Sequence, residues 1–90
     1  MTESFDWDED KRIKNIAKHG IDFLQAAAAL KGQRLEFASD KNGERRTLAI
    51  CEGTNKLIAV IYTMRGDVCR IISARVARKN EQRAYHQAYG

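Results

Sequence analysis

Between positions 34 and 75 apolar and polar residues alternate with a period of two, and three turn signals cut that stretch into four parts. Asn42-Gly43 and Gly66-Asp67 are two-residue hairpin signals, and Gly53-Thr54-Asn55 is a looser one. The pattern predicts strands over 34–40, 45–52, 57–65 and 68–75. Connections this short leave no room for a crossover, so neighbouring strands pair antiparallel as a meander. Ninety residues make one domain, 1–90, with one modest core that has to form against this sheet.

The flanks carry helical spacing instead. Residues 4–7 read as a short extended segment that plants Phe5 and Trp7 on one side. Asp8 then caps a helix over 9–18, whose acidic first turn suits the positive end of the helix dipole. Ile13, Ile16 and Ala17 are expected to form its buried stripe, with Lys11, Lys14 and Lys18 on another face. Gly20 stops it. Asp22 caps a second helix, with Gln25 placed for a capping box. Phe23, Ala26, Ala27 and Leu30 follow at i, i+3, i+4 and i+7, and Gly32 ends the helix. A last helix is predicted over 77–88. The class is α+β: two N-terminal helices on a β-meander of about four strands, plus a short N-terminal strand and a C-terminal helix.

Loop lengths assign side chains to faces. Two-residue loops at 42–43 and 66–67, with a three-residue loop at 53–55, put Leu35, Phe37, Leu48, Ile50, Ile58, Val60, Tyr62, Met64, Cys69 and Ile71 on one face. That bulky face is the expected partner of the N-terminal helices. Arg45, Thr47, Ala49, Thr63, Arg65, Arg70 and Ala74 fall on the other, with Ile61 and Ile72 between them. The three-residue loop decides this assignment, because a change of one residue flips every side chain beyond it.

Charge is unevenly distributed. Five of the twelve acidic residues (Glu3, Asp6, Asp8, Glu9 and Asp10) lie in the first ten positions, which hold no Lys or Arg. The other eighty residues therefore carry a formal +9, sixteen basic against seven acidic. That excess favours an anionic partner, nucleic acid being the commonest. Cys51 and Cys69 lack metal or redox spacing and read as small core residues. His19 and His86 are too few for a zinc site, and no phosphate-binding glycine loop or nucleophile elbow occurs. Neither a leader nor a membrane-spanning run is expected, so the expected compartment is the cytoplasm.

Arg65 and Arg70 are expected near the last hairpin turn on the lean face, with Arg45 two strands away. Guanidinium groups there could take phosphate oxygens bidentately, although a solvated sheet face would carry the same pattern. Arg75 has the other parity and is expected either to pair with an acid such as Glu81 or to reach the groove from its end. His19, at a helix C-terminus, suits a general acid, a phosphate contact or a plain cap. A metal-free enzyme could cut RNA with such groups, because the substrate's 2′-hydroxyl is its own nucleophile. No cofactor is expected.

Phe5-Asp6-Trp7-Asp8, Lys11, Asn15 and Lys18-His19-Gly20-Ile21-Asp22-Phe23 resemble the opening of the BrnT toxin family. Gly43-Glu44-Arg45-Arg46, Ile61-Tyr62-Thr63-Met64-Arg65, Arg70-Ile71-Ile72-Ser73-Ala74-Arg75, Glu81 and Tyr85 continue the likeness. The resemblance implies a type II toxin–antitoxin system and a RelE-like fold with helices on one face of an antiparallel sheet. It implies a metal-independent ribonuclease that stops translation. The implied partner is a BrnA-type antitoxin whose ribbon-helix-helix portion binds operator DNA, so the toxin would reach DNA only through it. His19, Arg45, Arg65, Arg70 and Arg75 are carried over as catalytic candidates, and Lys11, Lys18, Arg46 and Thr63 as RNA contacts. The reading from another class is a non-catalytic basic module that binds RNA or a protein partner.

Overall fold

The computed structural model describes residues 4–90; Glu3, one of the N-terminal acids, lies outside them. The elements run β1 (Ser4–Asp6), α1 (Glu9–His19), α2 (Phe23–Leu30), β2 (Arg34–Ala38), β3 (Thr47–Glu52), β4 (Leu57–Arg65), β5 (Val68–Val76) and α3 (Lys79–Tyr89). Five strands form one sheet in the order β1-β5-β4-β3-β2. The four-strand meander is antiparallel, as expected. The short N-terminal segment joins it as an edge strand parallel to β5, with Phe5 opposite Cys69 and Asp6 opposite Arg70. The sheet is therefore mixed.

Local chemistry starts and stops α1 and α2 where the spacing placed them. The Asp8 carboxylate accepts from the backbone N–H groups of Asp10 and Lys11, and Gly20 closes α1 in the left-handed conformation at φ 70°. The capping box of Asp22 and Gln25 is complete. Asn42 and Gly43 both adopt positive φ, and Lys41 and Glu44 exchange backbone hydrogen bonds around them. α3 begins two residues later than predicted. Ala77 instead extends the sheet, donating its N–H to the Leu57 carbonyl at 3.0 Å.

The sheet is covered on both faces. α1 and α2 lie over one, where Phe23, Ala26, Ala27 and Leu30 pack with Ala49, Cys51, Ile58, Val60, Tyr62, Cys69, Ile71 and Ala74. Trp7 meets Phe23 edge-on, with ring centroids 6.2 Å apart. α3 lies over the other face, where Tyr85 packs with Ile50, Ala59 and Ala77, flanked by Leu35, Leu48 and Leu57. The expectation of all helices on one face is thus corrected. With hydrophobic side chains on both sides of β3 and β4, each face needs its own cover.

Two single-residue events overturn the predicted face assignment. The β3–β4 connection has four residues between the paired Glu52 and Leu57, not three. Leu35, Phe37, Leu48 and Ile50 therefore face α3, while Ile58, Val60, Tyr62, Met64, Cys69 and Ile71 keep to the helix-pair face. Farther along, the pairing of β4 with β5 shifts between Ile61 and Tyr62, because β5 carries one extra residue there. This bulge returns Ala74 to the helix-pair core, where it is fully buried, and sends Arg75 to the α3 face.

The predicted buried stripe of α1 is also corrected. Ile13, Ile16 and Ala17 point outward, and Asn15 is buried in their place. Its amide donates to the carbonyls of Ile21 and Ala74, both at 2.9 Å, and accepts from the Ala74 N–H at 3.2 Å. Asn15 thereby does what a neighbouring strand would do for β5 beyond the end of β1. Losing this side chain would orphan buried backbone groups, so hydrogen bonding rather than apolar spacing sets the rotation of α1.

Candidate nucleic-acid interface

α3 crosses only part of its face of the sheet, and the remainder faces outward toward the β2–β3 and β4–β5 turns. Thr63 opposes Arg70 and Arg65 opposes Val68 at this end. The β2–β3 ladder runs on from Ala38 opposite Thr47 to Lys41 opposite Glu44, so Ser39 pairs with Arg46 and Asp40 with Arg45. Continuing the β3–β4 register past its last pair, Thr47 with Tyr62, sets Arg46 level with Thr63 and Glu44 level with Arg65, which gives two rows across the sheet end, Ser39–Arg46–Thr63–Arg70 and Lys41–Glu44–Arg65–Val68. Arg46, Arg65 and Arg70 thus share the open end of the α3 face.

Their surroundings differ. Arg70 makes an ion pair with Asp6 of the neighbouring edge strand, whose side chain is half exposed. Arg46 bonds Glu44 at 2.6 Å. That guanidinium holds the Glu44 carboxyl below the usual carboxylate range against the opposing effect of burial, aided by the nearby charges of Arg65 and Lys11. Arg65 is exposed and makes no ion pair among the described residues. Thr63 lies buried between them, its hydroxyl donating to the Arg45 carbonyl at 2.7 Å. Thr63 therefore pins the β2–β3 turn to β4 and holds the arginine-bearing segments together.

The other candidates are distributed elsewhere. Arg45, which the same continued register sets level with Met64, falls on the helix-pair side and is exposed. Arg75, expected apart from Arg65 and Arg70, shares their face. Its guanidinium bonds both carboxylate oxygens of Glu81, at 2.8 and 2.9 Å. Glu81 also accepts the Arg78 N–H at the start of α3, at 2.7 Å. The bidentate arginine, together with that N–H, holds the Glu81 carboxyl below the usual range although burial opposes it. Arg75 is spent on docking α3.

His19 is not brought to the arginines. Gly20 and Ile21, which follow it, line a cleft with Gly53, Thr54 and Lys56 of the β3–β4 loop. That loop is separated from the β4–β5 turn by the length of β4, about 26 Å at the usual strand rise. His86 lies at the same far end, beside Gly53, Asn55 and Lys56. Lys18 accompanies His19, whereas Lys11 belongs to the arginine end.

Asp6 and Glu44, the acids that hold Arg70 and Arg46, escape a sequence reading. Asp6 reads only as one of the N-terminal acids until the parallel β1–β5 pairing sets it opposite Arg70. The Gly-Glu-Arg-Arg run is a visible signal for Glu44. Cys51 and Cys69 are core residues, as expected, and burial pushes the Cys51 thiol up to about 11. Among the described residues no group of three or more His, Cys, Asp or Glu converges as a metal site. No helix among them is long and apolar enough to cross a membrane.

A small α+β domain with an open arginine-rich sheet end belongs to the class of proteins that engage a polyanion. The family is narrower than that class. Residues 7–81 match the family model described as ribonuclease toxin, BrnT, of type II toxin-antitoxin system, and the chain belongs to that family. Membership makes it a ribonuclease toxin with RNA as its substrate and an antitoxin as its partner. No curated protein matches the chain.

Proposed function

We propose that this chain is a metal-independent endoribonuclease that stops translation by cutting RNA in the cytoplasm. A BrnA-type antitoxin neutralises it and carries the complex to operator DNA through its ribbon-helix-helix portion. The fold is read as RelE-like. The observation that carries the proposal is the convergence of Arg46, Arg65 and Arg70 on one open face.

Cleavage of RNA needs no nucleophile from the protein. The 2′-hydroxyl gives up its proton as its oxygen bonds to the adjacent phosphorus, the bond to the 5′-oxygen breaks and that oxygen takes up a proton, and negative charge grows on the non-bridging oxygens in between. Arg65 and Arg70 stabilise that charge, and Arg46 and Lys11 hold a flanking phosphate. A phosphate competes for Arg70 on favourable terms, because Asp6 is well solvated and holds it weakly. Arg75 supports the face from beneath through Glu81. His19, Lys18 and Arg45 contact RNA outside this grip, and the proton transfers are assigned to none of the three.

The alternative, a non-catalytic RNA-binding module, is favoured by one observation. Both imidazoles lie at the far end of the sheet from the arginines. One experiment separates the readings: the chain is induced without its antitoxin, and the purified protein is incubated with RNA in the presence of a chelator. The enzyme reading expects growth arrest and RNA fragments. Harmless expression with RNA bound but intact would establish the module instead.

A further inference from the structure

The sheet row next to the arginine row is apolar, and α3 leaves part of it uncovered. Phe37 opposes Leu48, and Leu48 opposes Ile61. Phe37, on edge strand β2, is 44% exposed, and Leu48 and Ile61 are only partly buried. The first turns of α3 rise beside this row, so Phe37, Leu48, Asn80, Glu81 and Ala84 line an open groove of about 370 Å³. A volume of that size admits a nucleobase with its sugar.

We propose that this groove receives unpaired bases of single-stranded RNA, with Phe37 as the stacking platform, while the strand's phosphates lie along Arg46 and Arg70. The proposal rests on the ribonuclease reading and adds the form of RNA and the direction in which it lies. The apolar row and the arginine row are separated by two residues along β2, β3 and β4, about 6.6 Å. That separation matches the span between the phosphate and the base of one nucleotide. Arg70 and Arg46 stand two strands apart in their row, so the backbone would run across the strands from β5 toward β2, with bases turned toward α3. Aromatic stacking beside cationic phosphate contacts is how single strands are held without a sequence code. A duplex keeps its bases stacked inside and could not present them to Phe37.

A peptide is the competing occupant, since β2 is an edge strand. The charge around the groove favours RNA: Phe37 shares an adjoining depression with Arg45 and Arg46 beside Glu36 and Asp40, and Glu81, the acid lining the groove, is already neutralised by Arg75. Asn80 is exposed on the α3 wall, where its amide can pair with a base edge.

The test uses a short mixed-sequence 2′-O-methyl RNA, which binds but lacks the attacking hydroxyl, together with its duplex form. Phe37→Ala and Phe37→Leu should each weaken single-strand binding about 10-fold, while Phe37→Trp holds it near wild type. Duplex affinity should not respond to any of the three. Circular dichroism and thermal midpoints verify folding, and Phe37→Leu retains the apolar contact if Phe37→Ala unfolds. Equal single-strand affinity for Leu and Trp at this position would overturn the platform while leaving the ribonuclease reading intact. Loss of antitoxin binding with RNA affinity unchanged would also overturn it and give the groove to the antitoxin. If wild type binds no RNA and Arg70→Ala changes nothing, the ribonuclease reading itself fails, and the platform falls with it.

Discussion

Arg70 and Arg75 lie on the same strand and, because of the bulge between them, on the same face of the sheet. Their side chains are about equally accessible, at 24% and 19%. What separates them is the counter-ion. Glu81 is largely buried, grips Arg75 with both oxygens and caps α3 at the same time. Asp6 is half exposed and sits on a three-residue edge strand, and its other oxygen accepts the N–H of the adjacent Trp7 at 2.8 Å, a local contact that starts no helix. An arginine whose partner is buried and shared with a helix start holds the fold together. One whose partner is solvated can exchange it for phosphate. The same residue type serves structure at one level of the sheet and is available for chemistry at the next.

The largest expected effect tests the open end. Arg70→Ala should reduce RNA cleavage by about 100-fold or more, the usual scale for a lost electrostatic stabiliser of a transition state. Its thermal midpoint should barely move, because exposed ion pairs contribute only about 0–1 kcal/mol. Cleavage assays and thermal melts on the same preparation check both halves. A large loss of stability with activity retained would reverse the roles assigned to the two arginines.

Glu81→Gln tests the closed end. It removes one charge of a well-buried pair and should cost about 2 kcal/mol. In a domain of this size that lowers the thermal midpoint by about 10 °C. Antitoxin binding by the variant that remains folded should be retained, measured by co-purification. Stability equal to wild type would show that α3 does not depend on the pair.

Acidification separates the ends more finely. The Glu81 carboxyl is held below its ordinary value by Arg75, so its contribution is complete above the ordinary Glu range near about 4.3 and disappears as pH falls through the lowered folded value. Denaturation curves collected on descending through that window should show wild type losing its advantage over Glu81→Gln. A constant gap between the two would contradict the lowered carboxyl.

The smallest effect is expected from Asp6→Asn. It frees Arg70 of its competitor and should raise RNA affinity about two- to five-fold, with a little-changed dependence on salt because Arg70 takes the same phosphate in both proteins. Binding isotherms at two salt concentrations measure it. Weaker binding would mean that Asp6 positions Arg70 for RNA.

Much of this was legible in the chain itself, and the parts that were not share one cause. Caps at Asp8 and Asp22, the Gly20 stop, the Asn42-Gly43 and Gly66-Asp67 hairpins and the Phe23–Leu30 stripe all depend on groups within about four residues of each other. Asn15 shows where local reading ends. Its helix carries isoleucines at plausible core spacing, yet its amide turns inward because β5 leaves the Ala74 backbone groups without a strand neighbour. Nothing within α1 reports that need.

The sequence by itself determined the four-strand meander, its turns, the capped helices, the basic excess and the family motifs, because each is written in short-range spacing or in residue type. Tertiary structure alone decided which arginines stand together. A β3–β4 loop one residue longer than expected and one extra residue in β5 each shift strand parity by one position. Side chains alternate with a period of two, so each shift moves everything beyond it to the opposite face. Arg45 was thereby removed from the site, Arg46 was brought into it, and Arg75 was placed on the same face as Arg70 but tied to Glu81. A period-two pattern reads the same after either shift; only the packing of α1 and α2 on one face and α3 on the other chooses between them.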